Sequence, residues 1–296
     1  MIKSFKITNH LGESVLLDLF KPAPSGFAIT NVDGLGPVDA DINTTDYAAL
    51  DGAYFNSSRI GTRNIVMTIR LLENPTIEES RHSVYRYFPV KKKIRFEVET
   101  DTRKSYTYGY VESSIPTIFS NEEEVEISII CPDPFFYGTD GSIVDFSSVE
   151  AQFEFPFENV GADPMLVLGE IVRATQRPVL YYGEYDNGMI IRMKFSGAVT
   201  GLAIYNANTG ELMRINESGV SGGFQNRDEL EISTIGGQKY VRLYREGSTI
   251  NAINAIDISS DWPRLQPGDN LISYTATSGE NNVHLYIEYS AAYGGI

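Results

Sequence analysis

The stretch "EVEISIICPDPFFYG", residues 124–138, decides how the chain is divided. Its first eight residues place apolar side chains in near alternation with polar ones. That is the pattern of a strand with one face buried. The run then meets the only cysteine, Cys131, two prolines one residue apart, and three consecutive aromatics. Proline has no N–H to give to a ladder, so Pro132 and Pro134 are expected to end the strand. Phe135, Phe136 and Tyr137 then pack the exit, and Gly138 releases the chain into "TDGSIVDFSS", which reads as a linker. The expected division is a first domain over 1–138, a linker over 139–150 and a second domain over 151–296.

Upstream of this stretch, "MIKSFKIT", "SVLLDLF", "IVMTIRLL" and "KIRFEVE" read as strands, and "KSYTYGYVESS" sets Tyr106, Tyr108 and Tyr110 on one sheet face. One helix stands out, in "NPTIEESRHSVYRYFP" at 74–89. Asn74 suits an N-cap and Pro75 the first helical position. Ile77, Val84, Tyr85 and Phe88 fall on one stripe, and Pro89 stops the helix. Glu78 and Glu79 at its start and Arg86 at its end complement the helix dipole. A lone helix among strands predicts a β-rich α+β domain with the helix over one opening or face. Downstream the helical signal disappears. Short runs such as "PVLYYGE", "MIIRMKF", "KYVRLY" and "NVHLYIEY" alternate with turn signals such as "DNG", "NTG" and "PGDN". That pattern predicts an all-β sandwich.

Composition excludes several classes of function. A length of 296 residues suggests about two domains, and 42% hydrophobic residues supply a packed core. A net charge of −15 argues against nucleic acid and against anionic membrane surfaces as partners. The more acidic half is the second: residues 1–138 carry 14 basic and 19 acidic side chains, the remainder 10 and 20. A single cysteine excludes an intrachain disulfide and fits folding in a reducing compartment. No apolar run approaches the ~18 residues that span a bilayer, and the first ten residues lack a signal-peptide core.

Each motif with catalytic associations has an ordinary reading beside it. Cys131 follows Ile129 and Ile130, the setting of a buried structural thiol, with His10, His82 and His284 all distant in sequence. "GVSGG" at 219–223 matches the hydrolase pattern around Ser221, but a turn and a strand come next, where that chemistry needs a helix. Asp39, Asp41 and Asn43 alternate as in a calcium loop, yet Thr44 stands where glycine is needed and Leu50 where a bidentate Glu belongs. Glu122, Glu123, Glu124 and Glu126 could pair for glycoside hydrolysis, but also suit a charged turn that deters edge-to-edge pairing. Trp262, with Asn206 and Asn208 near Tyr205, could form a saccharide site in the second domain, with a rim Trp and a turn as the plainer reading. The expectation is no catalytic residue, no metal and no cofactor.

The order of these features resembles a known family, the distal tail (Dit) proteins of long-tailed, non-contractile phages. The resemblance rests on "GTRNIVMTIRL" at 61–71, the helix at 76–88, "KKIRFEVETDTRKSYTYGYVES" at 92–113 and "NEEEVEISIICPDPFFYG" at 121–138. In the second half it rests on "YYGEYDNGMIIRMKFSGAVTGLAIYNANTGELMRI" at 181–215 and "LQPGDNLISY" at 265–274. The resemblance implies an N-terminal β-barrel-like domain with one helix, assembling into a ring that is usually hexameric. It also implies a C-terminal β-sandwich resembling galectin or carbohydrate-binding modules. Such a ring sits at the virion tail tip, is assembled in the host cytoplasm, and joins the tail tube to tail-associated proteins that recognise the host. The family brings no catalytic residues. The alternative is a module whose sandwich grips host saccharide.

Overall fold

The computed structural model describes residues 1–151 and 169–296, which divide into two units. The first unit is Met1–Asp140 together with Ala292–Ile296; the second is Gly141–Ala291.

The first unit begins with β1 (Ile2–Thr8), β2 (Ser14–Asp18) and β3 (Phe27–Asp33). A hairpin comes next, β4 (Ala40–Asp46) and β5 (Ala53–Ile60), and then β6 (Arg63–Leu71). After helix α1 (Ile77–Tyr87) come β7 (Lys93–Thr100), β8 (Lys104–Pro116), β9 (Glu124–Cys131) and β10 (Phe136–Gly138). The main sheet is antiparallel in the order β2-β1-β7-β8-β9-β6-β3. Its path is open, with no ladder between β2 and β3, so the sheet does not close into a full barrel. Alternation sends Ile65, Met67 and Ile69 of β6, Phe96 of β7 and Ile127 of β9 into one core, where Val84 and Phe88 close it from the helix side. Each such side chain contributes roughly 1.5–3 kcal/mol by leaving water.

Two local expectations change. The helix is capped by Thr76, whose hydroxyl accepts from the Glu79 amide at 3.2 Å. Asn74 instead donates to the Pro24 carbonyl, two residues before the helix can begin. Tyr85 lies off the buried stripe and is exposed, because one residue turns the helix ~100° away from Val84.

The proline stretch behaves differently from a strand end. Tyr110 of β8 faces Ile130 of β9, while Tyr106 of the same strand faces Tyr137 of β10. β10 therefore continues the line of β9 along β8, and "PDP" is a bulge that absorbs three residues. Asp133 holds the bulge by accepting from the Phe135 amide at 3.1 Å and from the Tyr137 hydroxyl at 2.7 Å. On its other side β10 pairs with Ala292–Tyr293, so the last five residues return to the first unit.

The second unit opens where a linker was expected. β11 (Ser142–Asp145) and β12 (Ser147–Ala151) lie there, because Val144 packs on the core and Phe146 is buried within it. The runs "FEFPF" at 153–157 and "PMLVLGEI" at 164–171, which also read as strands in the sequence, fall on or across 152–168, outside the described residues. The chain continues through β13 (Gly169–Arg173), β14 (Gln176–Tyr181), β15 (Ile190–Phe195) and β16 (Leu202–Asn206). Beyond these lie β17 (Leu212–Ile215), β18 (Glu229–Ser233), β19 (Tyr240–Arg245) and β20 (Ser248–Asn251), then β21 (Gly268–Thr275) and β22 (Val283–Tyr289). Six strands in the order β11-β22-β15-β18-β19-β20 form one sheet, and β14-β21-β16-β17 form another. Met193 and Leu230 from the first sheet and Ile204 and Ile272 from the second share one core, which makes the unit a β-sandwich.

Candidate functional site

The hairpin β4–β5 is a sheet of its own. Its register pairs Ala40 with Ile60 and Asp46 with Ala53, and Gly52 turns the tip at φ +99°. Cross-strand side chains hold it. Arg59 Nε donates to Asp41 Oδ2 at 3.1 Å, and Asn56 Nδ2 donates to Thr45 Oγ1 at 2.7 Å. Every residue of the two strands is exposed except Ile60, which is half-buried. Ile42, Tyr47, Leu50, Tyr54 and Phe55 all face water, Leu50 at 75% exposure. A free two-stranded hairpin is marginal by itself, and a run of exposed apolar side chains on one marks a surface made for a partner.

The root of this hairpin is built in the opposite way. Arg63, the first residue of β6, is 1% exposed. Its Nε donates to the Pro134 carbonyl at 2.8 Å and Nη2 to that of Gly294 at 2.6 Å. Nη1 reaches the carbonyls of Gly34 at 2.5 Å and Gly36 at 2.6 Å, on the segment that leads into β4. The guanidinium lies over the Phe136 ring, 4.4 Å from its centre. Burial pushes the Arg63 pKa down. Gly34 is obligatory here: its φ is +83°, and a Cβ would meet the Asn64 carbonyl oxygen at 1.9 Å. Both legs of the hairpin thus start from one buried cation. Sequence reading missed Arg63, because its four acceptors are main-chain groups that no residue type announces.

The residues with catalytic associations are otherwise engaged. Cys131 is fully buried beside Arg63 in the β6–β9 ladder, and burial pushes its thiol up to about 11, against thiolate chemistry. The loop around Ser221 is folded around Arg245, which takes the carbonyls of Ser221 at 2.8 Å and Gly223 at 2.6 Å and pairs with Asp228. It leads into β18, as the sequence suggested. Asp41 is spent on Arg59, and Asp39, Asp41 and Asn43 lie on or next to a strand in place of a calcium loop. Among the described residues no group of three or more His, Cys, Asp and Glu is placed to hold a metal. Glu122 pairs with Arg70 at 2.9 Å and Glu123 with Arg81 at 3.0 Å, tying the β8–β9 turn to β6 and α1.

One cluster that the sequence did not announce has the composition of a hydrolase triad. His284 Nε2 lies 3.0 Å from Ser147 Oγ and 2.9 Å from Asp145 Oδ1. Both partners sit on the same ring nitrogen, and the Ser147 hydroxyl also donates to Asp145 at 2.9 Å. A triad needs the acid on one nitrogen and the nucleophile on the other, so this geometry ties strand β11 to β22 without activating the serine.

Of the residues considered for saccharide binding, Asn206 is fully engaged and Asn208 partly so. Asn206 is fully buried; its Nδ2 donates to the Arg264 carbonyl at 2.8 Å and its Oδ1 accepts from the Asn208 amide at 3.0 Å. Asn208 Oδ1 accepts from the Leu271 amide at 2.7 Å. Trp262 packs partly against the sandwich core beneath Lys239.

Comparison with known proteins agrees with this arrangement. Residues 24–131 match the family model of the phage tail protein RIFT-related domain, and residues 182–293 match that of the siphovirus-type tail component, C-terminal domain. Among solved structures, the Dit protein of phage SPP1, titled a paradigm of the hub adsorption apparatus in phages infecting Gram-positive hosts, aligns with a TM-score of 0.66. Its identity is 15%, over 98% of this chain and 99% of that one. A chain of the phage P2 baseplate in its activated conformation with calcium aligns at 0.52 and 11% identity, over 98% and 99%. The strontium form of that baseplate aligns at 0.50 and 10%, over 97% and 98%. At these identities the structural likeness speaks for the fold. No curated protein matches. The two family models, in chain order and one in each unit, carry the assignment: the chain belongs to the Dit family of siphovirus tail-tip and baseplate components.

Proposed function

We propose that the chain forms a closed homo-oligomeric ring, hexameric as the family resemblance implies, that joins the tail tube to the host-recognition proteins of the tip. The single observation that carries this reading is the β4–β5 hairpin, whose apolar side chains stay exposed among the described residues of their own chain. An arm that belongs to one protomer and is completed by the next generates a heterologous contact, and such contacts close into a ring when the rotation between protomers divides a full turn evenly. The role is structural and not enzymatic. In support, Cys131 is held as a thiol, Ser221 sits in a loop organised by Arg245, and His284 is misoriented for a triad. The Asn206 amide is taken by the Arg264 carbonyl and Asn270, and the Asn208 side-chain oxygen by the Leu271 amide, so a saccharide at that turn would find only the exposed Asn208 Nδ2. Assembly in the host cytoplasm agrees with a lone, buried cysteine.

The test replaces residues 41–59 by a short glycine-serine turn in the full chain. Ala40 and Ile60 are paired, so the ends to be joined already lie about 5 Å apart. Light scattering and negative-stain electron microscopy should show rings for the intact protein and folded monomers for the shortened one. Rings that persist without the hairpin, or an intact protein that stays monomeric at high concentration, would sink the reading.

A further inference from the structure

We infer that the acceptor for the hairpin of one protomer is the lysine- and tyrosine-rich outer face of β7–β8 on the next copy of the chain; the inference rests on the ring reading and names its contact. The hairpin is acidic as well as apolar. Residues 37–62 hold four aspartates and one arginine. Asp41 is neutralised by Arg59, while Asp39, Asp46 and Asp51 have no ion pair among the described residues. An acceptor must therefore offer positive charge beside apolar surface.

The first unit has such a place. "KKKIR" at 91–95 puts four cations into five residues. Lys91, Lys92 and Lys93 are exposed and take part in no ion pair among the described residues. Lys93 Nζ stands 4.1 Å over the Tyr108 ring, and Tyr108 and Tyr110 present their rings outward. The acids nearby are occupied: Glu97 pairs with Arg95 at 2.9 Å, and Glu112 accepts from Ser128 at 2.8 Å. Cationic stems lying on tyrosine rings make a surface that suits apolar and acidic groups together.

Topology places donor and acceptor correctly for a ring. The outer-face row Lys93–Tyr110–Ile130–Asn64 crosses β7, β8, β9 and β6, and it ends one residue from Arg63, where the hairpin returns. Donor root and acceptor are thus at the same level of the sheet but displaced sideways. The hairpin leaves from the β6–β3 flank, and the lysines lie three strands away, about 14 Å toward the other flank. Protomers set side by side then bring each hairpin, about 26 Å long, to the opposite flank of its neighbour. This is the head-to-tail relation that closes a ring.

The experiment uses the full chain with Leu50→Cys on the hairpin and Tyr110→Cys on the acceptor. Buried Cys131 stays out of the reaction. A short bis-maleimide should give a ladder of covalent multiples with both cysteines and none with either alone. In parallel, Lys92→Glu with Lys93→Glu should raise the concentration for half-assembly at least ~10-fold, and adding Asp46→Lys with Asp51→Lys should recover most of it. Far-UV circular dichroism checks that the variants are folded; exposed lysines on a solvent face leave the core untouched. Rings in the wild type without a ladder, or charge reversals that leave assembly unchanged, overturn the acceptor while leaving the ring standing. A monomeric wild type overturns both.

Discussion

Arg63 in the first unit and Arg245 in the second perform the same task under different electrostatics. Each gathers the carbonyls of glycine-containing segments that no ladder could hold: Gly34, Gly36, Pro134 and Gly294 around Arg63, Ser221 and Gly223 around Arg245. Arg245 also has a carboxylate, with Nε and Nη2 donating to Asp228 at 2.9 and 2.6 Å, which raises its pKa. Arg63 has no ion pair among the described residues, and burial lowers its pKa. A guanidinium held only by carbonyl dipoles keeps its charge because each of its nitrogens donates to one. That arrangement is tolerable only where the surrounding chain is fixed, which is what the root of a projecting arm requires. Arg245 organises a surface loop and can share its charge.

The largest effect expected from breaking this comparison is at Arg63. Arg63→Met leaves four carbonyls facing an apolar side chain, and orphaned buried acceptors cost about 1–3 kcal/mol each. Water entry returns part of this, so we expect at least ~3 kcal/mol lost from the first unit in urea unfolding. Arg63→Lys keeps the charge but has three donors on one centre, and should recover less than half. A Met variant as stable as the wild type would show that the carbonyls find other donors.

Asp228→Asn tests the other arm. It leaves Arg245 without its counterion while keeping the shape, and breaking a buried pair from one side costs ~3–5 kcal/mol when both partners are dry. Arg245 is 17% exposed on its side chain, so about 2 kcal/mol is the better expectation. Calorimetry should assign that loss to the second unit and leave the first unit's transition in place. Equal destabilisation of both units would mean that the two are not energetically separate.

Cys131 gives a pH test of the Arg63 neighbourhood. Its thiol is raised from 9.0 to about 11, chiefly by burial. The folded state therefore holds the proton longer than the unfolded state does. The associated stability is complete below pH 9 and is lost as pH climbs toward 11, by up to ~3 kcal/mol. Cys131→Ala should abolish that share of the alkaline slope, whatever it costs in packing. Native protein should react with a thiol reagent only at the rate of unfolding.

Much of the fold is legible in side chains. Alternation in "IVMTIRLL", "KIRFEVE" and "EVEISIIC" names β6, β7 and β9, because one buried face imposes period two. The helix is legible from its stripe, yet its cap shifts to Thr76 because a hydroxyl three residues before an amide is a local contact that Asn74 is too distant to make. Where 139–150 reads as a linker, the structure has β11 paired with β22 and β12 with β13, with Val144 packed on the core and Phe146 buried in it; pairing with strands distant in sequence does not show in a stretch that looks polar. The proline bulge resembles an ending in sequence, since β10 rejoins β8 through pairing that sequence distance hides. The hairpin and Arg63 are illegible for a common reason. In the proposed ring the hairpin is completed by a second copy of the chain, and Arg63 is held by main-chain carbonyls that every residue possesses; neither partner shows in residue types.

The smallest effect is expected at Ser221, inside the loop that Arg245 organises. The Arg245 guanidinium takes the carbonyl of Ser221, a group that every residue at this position would supply. Gly222, at φ +77°, and Gly223, at φ +66°, provide the turn. Ser221→Ala removes only an exposed hydroxyl, so stability should change by less than ~0.5 kcal/mol. Gly222→Ala is the contrasting substitution, because a Cβ there enters a left-handed backbone and meets Gln225 Nε2 at 2.8 Å. It should cost about 1 kcal/mol. The two unfolding curves, measured side by side, decide what the glycine-serine pattern is for. A loop maintained for its turn is sensitive at Gly222 and silent at Ser221; the reverse order would give the hydroxyl a role that the Arg245 clamp does not explain.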